Sequence, residues 1–256
     1  MKQNLYLGGQ NMLSINQLIK YLRNHHHITV KSNQAQSLRN IGYYHGYKGY
    51  RFIRTPNQRI PFSSLDEVIA LNKFDMQLKT IIYPKVMFIE NALKSYVIEA
   101  ILHDCRSENL DTIFNKSITD YKSYTPGSQQ YHKQYAKRMT LKGKINNALL
   151  RDYSNKKQTV NHFFNADQPI PIWAIFESLT LGEFGTFFAC SNSNVKLKTS
   201  SILHLPSNLD ADGKITEYII YTIKDLRNAV AHNSTIFDTR FQTSTINNRL
   251  VFLLET

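Results

Sequence analysis

"SSLDEVIALNKFDMQLKTIIYPKVMFIENALKSYVIEAIL", residues 63–102, is a long stretch that contains no glycine and one proline, Pro84. Its apolar residues recur three and four positions apart, the spacing that builds one face of an α-helix. Because proline lacks a backbone N–H and its ring clashes with the preceding turn, we expect one long helix, bent or interrupted near Pro84.

Helical patterns also occur on both sides of this stretch. In "SINQLIKYLRN", residues 14–24, Ser14 and Gln17 are placed to form a capping box. No segment shows the apolar and polar alternation of a β-strand flanked by hairpin turns. The sequence therefore predicts an all-α protein. Further helices are expected in residues 33–41, 171–190 and 215–233.

The chain of 256 residues is long enough for one large domain or two small ones. Prolines in "RTPNQRIPF", residues 54–62, mark a connection. We expect a small, tyrosine-rich helical unit over residues 1–60 and a larger helical domain over residues 61–256. Within this larger domain, residues 106–168 are polar and basic. They indicate either an exposed insertion that extends from the core and contacts RNA, or an ordinary solvated pair of helices.

The charge balance points to a polyanionic partner. Lysine and arginine total 31 against 19 acidic residues, a formal net charge of +12. Binding to a nucleic acid releases its condensed counterions, so RNA is the first partner to consider, although a basic surface can also serve solubility alone.

The two cysteines, Cys105 and Cys190, are too far apart for a zinc knuckle or a disulfide framework. With no secretory signal and no membrane-spanning run, we expect a soluble, cytoplasmic protein that has no metal or cofactor.

The segment "IGYYHGYKGYRF", residues 41–52, has a glycine density that no regular helix favours. Its aromatic and basic side chains can stack on RNA bases and hold phosphates, or they can pack a small helical unit. The "HHH" of residues 25–27 fits a solvated turn better than a metal site, because consecutive helical side chains diverge. The candidate RNA-binding residues are Tyr43, Tyr44, Tyr47, Lys48 and Arg51 here, with Lys133, Lys137, Arg138, Lys142 and Lys144 in the basic middle.

The stretch "LRNAVAHNS", residues 226–234, ends the last predicted helix. A helical wheel predicts a buried stripe of Ile219, Ile223, Leu226 and Val230. It places a polar face nearly opposite, flanked by Arg227 and Ala231. Arg227 and His232 are offset by about 140° on an ideal helix, so a joint site needs a loosened last turn or a second copy of the helix. The residues of the polar face are Tyr221, Asp225, Asn228 and His232.

Arginine and histidine together suit metal-free cleavage of RNA by its own 2′-hydroxyl. Histidine, whose ordinary pKa is about 6.5, can transfer protons near neutral pH, and a guanidinium can hold the charged phosphorane. The alternative is a structural helix end, with His232 at the negative pole of the helix dipole.

Four blocks of the chain resemble, in order, the motifs of the Abi-like family, the AbiD and AbiF type of bacterial phage abortive-infection proteins. "LRNAVAHNSTIF" resembles the family's L-R-N-x-x-A-H motif, and "LRNIGYYHGYKGYRF" its I-G-Y-Y-R-L-x-x-Y block. "FDMQLKTIIYPKVMFIENALKSYV" and "PIWAIFESLTLGEFGTFF" are similar to its two helical blocks. The resemblance covers most of residues 34–240.

This resemblance implies a helical bundle of the HEPN superfamily. The members of that superfamily that carry the R-x-x-x-x-H motif are metal-independent ribonucleases that often act as dimers. It implies that His232 is the acid or base, Arg227 the phosphate clamp and Asn228 an orienting residue. Glu90 and Glu177 match acids in the family's blocks and are supporting candidates. Glu90 also precedes Lys94 by four positions, which is typical of an exposed ion pair on a helix.

The family pattern is not matched at every position. Asn233 stands where a second histidine is common, and Val230 where a cysteine is frequent. Lys94, Gln77 and His45 stand where the family usually has arginines.

The function predicted first is a HEPN endoribonuclease of a phage-defence or toxin–antitoxin system, acting as a homodimer. The alternative is a noncatalytic protein that holds a small noncoding RNA, and a purely structural interaction protein is the third reading.

Overall fold

The computed structural model describes residues 13–52, 58–238 and 248–249. In these ranges the chain is helical and the β contacts are isolated bridges, which confirms the all-α prediction. The described helices are α1 (Ile15–His26), α2 (Ala35–Ile41), α3 (Lys48–Tyr50), α4 (Leu65–Cys105), α5 (Leu110–Lys116), α6 (Gln129–Ser154), α7 (Gln158–Asn165), α8 (Ile172–Ser178), α9 (Leu181–Cys190), α10 (Ser193–Ile202) and α11 (Lys214–Ala231). Among these helices we find none with the length and hydrophobicity of a membrane span.

The long helix predicted from residues 63–102 is α4, which continues through Pro84 without interruption. Contacts group the described residues into two units: 13–83 with 229–238, and 84–228 with 248–249. Leu65 and Val68, at the start of α4, belong to the hydrophobic core of the first unit. The first unit is also discontinuous in sequence, since it includes the residues that follow Asn228.

The first unit is built around α1, α2 and the start of α4. The predicted capping box of Ser14 and Gln17 begins α1. The glycine-rich segment forms a π-helical stretch, Gly42–Tyr47, between α2 and α3. Gly42 has a φ of 74°, and a Cβ on Gly46 would lie 2.6 Å from the carbonyl oxygen of Ile41. Both positions require glycine, because a side chain would be strained at Gly42 and would clash at Gly46. This requirement accompanies the irregular, π-helical geometry of the segment.

The environment of His26 predicts that acid weakens the first unit. Burial, followed by the charges of Arg51, Lys48, His25 and Arg59, lowers the pKa of His26 to about 4. The pKa in the unfolded chain is about 6.5, so this contribution to stability is complete above that pH and is lost as pH falls toward 4. We expect the melting temperature of a His26→Gln variant to depend less on pH between 7 and 5 than that of the wild type. Parallel pH profiles for the two proteins would contradict this expectation.

The second unit has a core formed mainly by the latter part of α4 with α5, α6, α8 and α9. Phe176 is in edge-to-face contact with Phe184 and Phe187, with ring centroids 5.2 and 4.9 Å apart. Cys105 and Cys190 are both buried and unbridged.

The basic middle of the chain is part of this core. Leu141, Ile145 and Ala148 of α6 are fully buried and face α8 and α9. Residues 106–168 are thus not an excursion from the core, because one face of α6 carries enough apolar surface to be buried against the neighbouring helices.

Candidate functional site

Helix α11 carries the predicted motif at its C-terminal end. Its buried residues are Ile215, Thr216 and Ile220, whereas the stripe predicted from the wheel, Ile219, Ile223, Leu226 and Val230, is half-buried. Arg227 follows Ile220 by seven residues, an offset of about 20° on an ideal helix. It therefore lies on the same face as Ile220, next to the polar face, whose Asn228 accepts a hydrogen bond from Arg227 Nη1.

On that face Arg227 meets Glu90 and Lys94 of α4. Glu90 Oε2 lies 3.4 Å from Arg227 Nε, and Glu90 Oε1 lies 3.1 Å from Lys94 Nζ. The side chains of Glu90 and Lys94 are only 8% and 13% exposed, so the prediction of an exposed ion pair is wrong. Residues remote in sequence contact both members of the pair: Arg227 of α11 approaches Glu90, and Lys94 Nζ donates to the carbonyl of Leu179 at 3.5 Å.

The Glu90 carboxylate holds one end of the Arg227 guanidinium. Glu90 Oε2 and Arg227 Nε are both inaccessible to solvent and close enough for an ion pair, but they are not aligned for a hydrogen bond. Arg227 Nη1 donates to Asn228 Oδ1 at 3.4 Å, while Nη2 has no partner among the described residues. The Arg227 side chain is 35% exposed, so this cation is held at Nε by the Glu90 charge while Nη2 lacks a partner among the described residues.

The part of the polar face that lies within α11 is half-buried. Tyr221 packs over Gly185 of α9, where an added Cβ would lie 3.0 Å from the tyrosine ring. Burial raises the pKa of Tyr221, an effect that the neighbouring Thr186 side chain partly offsets. Lys224 Nζ lies 5.3 Å from the Tyr221 ring centroid and 2.9 Å from Asp225 Oδ1. Tyr221 and Asp225 thus have structural partners of their own.

His232 directly follows the last residue of α11 and is exposed. The N–H of Asn233 donates to the carbonyl of Val230, and the N–H of Ser234 to that of Ala229. With Asn233 at a φ of 52°, this is the Schellman arrangement that ends many helices. Asn233, which departs from the family pattern, therefore takes the left-handed position that asparagine tolerates.

A buried ion pair holds the segment after His232 in the first unit. Lys79 Nζ donates to Asn233 Oδ1 at 2.7 Å and lies 2.7 Å from Asp75 Oδ2. Asp75, fully buried, accepts the backbone N–H groups of Ile236 and Phe237 at 2.8 and 3.0 Å. Burial by itself would raise the pKa of Asp75, but these hydrogen bonds and Lys79 hold it below its ordinary value.

Sequence reasoning missed Asp75 and Lys79. Their signature is an aspartate and a lysine four residues apart among the apolar residues of α4, in the block "FDMQLK".

The family model of Abi-like proteins matches residues 36–238, which include α4, the Glu90–Arg227 pair and the end of α11. The chain belongs to the Abi-like family. Membership supports a role in abortive infection, a defence against phage. Neither a curated protein nor a solved structure matches this Abi-like protein.

The remaining residues predicted for the site have other surroundings. Glu177 is exposed, and its main-chain carbonyl accepts a hydrogen bond from Lys157 Nζ. Tyr43 and Tyr47 are buried in the core of the first unit, which fits the packing role and does not fit stacking on RNA bases. Tyr44 is exposed.

The basic residues of α6 divide into two groups in this Abi-like protein. Lys133, Lys137 and Lys142 are exposed. Arg138 donates to the carbonyls of Phe114 and Ile118 at the end of α5, and Lys144 Nζ lies 3.5 Å from Thr186 Oγ1. Arg138 therefore has a structural role that fills part of its hydrogen-bonding capacity.

Proposed function

We propose that this Abi-like protein is an endoribonuclease of a phage-defence or toxin–antitoxin system, acting without a metal ion through Arg227, Asn228 and His232 in the manner of HEPN ribonucleases. The observation that supports it most is Arg227, held at Nε by the Glu90 charge and without a partner at Nη2 among the described residues. A guanidinium fixed at one end suits the binding of a phosphate oxygen at the other.

In the proposed reaction the 2′-oxygen of RNA attacks the adjacent phosphorus while the bond to the 5′-oxygen breaks. The products are a 2′,3′-cyclic phosphate and a 5′-hydroxyl. His232 transfers a proton, from the 2′-hydroxyl or to the leaving 5′-oxygen. Arg227 stabilises the negative charge that develops on the phosphorane oxygens, and Asn228 orients the guanidinium.

Two protons move in this reaction, one at each oxygen. We assign the second transfer to His232 of a second copy, so the proposed active form is a homodimer that joins two C-terminal ends of α11. RNA is the proposed substrate, and a small noncoding RNA is a proposed regulatory partner.

A noncatalytic RNA-binding protein is the second candidate, and the net charge of +12 favours it equally. It predicts binding that weakens steeply with salt and never yields product.

The mechanism predicts that cleavage does not depend on metal ions. RNA incubated with the purified protein in excess EDTA should yield 2′,3′-cyclic phosphate and 5′-hydroxyl ends at the rate seen with added Mg²⁺. The ends are assigned by treatment with a kinase and a cyclic phosphodiesterase. Cleavage that stops in EDTA would contradict the mechanism, and intact bound RNA in both conditions would favour the noncatalytic candidate.

A further inference from the structure

Several cations of the first unit have no acidic partner among the described residues. Lys48, Arg51 and Arg59 form no ion pair with any residue in 13–52, 58–238 or 248–249. By contrast, Lys31 and Lys79 of the same unit each pair with an aspartate. The first unit therefore has a local surplus of positive charge.

These three cations lie near one another. All of them act electrostatically on His26, and no acidic residue is among the groups that shift its pKa. Phe52 and Arg59 form an antiparallel bridge, and the N–H of Ile60 donates to the carbonyl of Arg51 at 2.8 Å. This pairing brings the two arginines to the same ring: their guanidinium carbons lie 5.6 and 5.7 Å from the centroid of Phe52.

Aromatic contacts hold these cations in place without neutralising them. Arg51 is also 5.8 Å from the ring of Tyr47, and Lys48 Nζ is 5.3 Å from that of Tyr43, both of which are buried. A cation over an aromatic face keeps its charge and its N–H donors. The arrangement thus provides positioned donors for an anion.

An exposed aromatic ring lies beside the cations. Tyr44 is 69% exposed, and its ring is in edge contact with buried Tyr43 at 5.1 Å. Lys48 Nζ lies 5.1 Å from the centroid of Tyr44. Cations that follow a phosphate backbone, combined with an exposed ring on which a base can stack, are the features that bind single-stranded nucleic acids.

We propose that Lys48, Arg51, Arg59 and Tyr44 form a binding site for single-stranded RNA in the first unit, in which the cations contact phosphates and Tyr44 stacks on a base. The site rests on RNA being the substrate of the proposed function, but it does not require cleavage. A phosphorylated peptide would use the cations and leave Tyr44 without a role.

The test uses the full chain with His232→Ala, so that RNA is not consumed. Binding of a fluorescent single-stranded RNA is followed by anisotropy over a range of salt concentrations. We expect the added changes Arg51→Gln and Arg59→Gln to weaken binding at least tenfold. The slope of log affinity against log salt should fall by about 1.4, because each phosphate contact with a single strand contributes about 0.7.

Tyr44→Ala should weaken binding about tenfold with an unchanged salt slope, and Tyr44→Phe should have little effect. The matched control, Lys20→Gln with Lys73→Gln, removes two exposed charges from the same unit. Circular dichroism checks the fold of each variant.

The proposed site would be wrong if the control pair and the arginine pair weakened the affinity for single-stranded RNA equally. It would also be wrong if a blunt RNA duplex bound as tightly as the single strand, or if Tyr44→Ala left the affinity unchanged. Failure of the proposed function has a different signature. In that case His232→Ala would cut RNA as fast as the wild type, whatever the effect of the arginine and tyrosine variants on binding.

Discussion

His232→Ala is expected to slow RNA cleavage by about 10²–10⁴-fold, the usual contribution of a positioned acid or base. The side chain is exposed at the end of α11, so its removal should not disturb packing. The measurement is single-turnover cleavage at saturating protein in EDTA, with RNA affinity measured in parallel. We expect affinity to change little while the rate falls.

The control for this prediction is His132→Ala, which removes an equally exposed histidine from α6. It should cleave at the wild-type rate. If His232→Ala and wild-type protein cut RNA equally fast, the proposed mechanism is wrong and any cleavage belongs to another site.

The largest expected effect on stability is that of Asp75→Ala. The change leaves Lys79, whose side chain is 7% exposed, without its counter-charge and leaves the N–H groups of Ile236 and Phe237 without their acceptor. Removal of one partner from a buried ion pair typically costs about 3–5 kcal/mol, so we expect a loss of that size in the free energy of unfolding. Urea denaturation followed by circular dichroism measures it.

Asp66→Ala is the control on the same helix: it removes an exposed ion pair with Lys31 and a hydrogen bond that Gln34 Nε2 donates at 2.6 Å. It should cost about 1–2 kcal/mol, since an exposed ion pair contributes less than about 1 kcal/mol and a hydrogen bond about 1 kcal/mol. Adding Lys79→Met to Asp75→Ala removes the uncompensated charge and should restore part of the stability. A smaller loss for Asp75→Ala than for Asp66→Ala would show that the buried pair does not hold the segment.

The predictions from sequence succeeded where local periodicity decides the structure. The apolar spacing along α4 predicted its length, and Ser14 and Gln17 predicted the start of α1. The Abi-like blocks were recognised because their residues are contiguous in sequence. None of these inferences needed knowledge of a contact between distant segments.

Where long-range contacts decide the outcome, the sequence was misleading. Glu90 and Lys94 have the spacing of a surface pair, yet both are largely buried and contact residues remote in sequence, Arg227 and Leu179. Helix α6 appears too polar for a core, yet Leu141, Ile145 and Ala148 suffice because they recur on one face. The role of Asp75 depends on backbone groups that lie 161 and 162 positions further along the chain.

That last distance has a consequence for biosynthesis. The first unit includes residues that precede and follow the second unit in sequence, so a ribosome must translate Ile236 and Phe237 before Asp75 acquires these two backbone donors. A nascent or prematurely terminated chain that ends before them lacks the anchor behind His232.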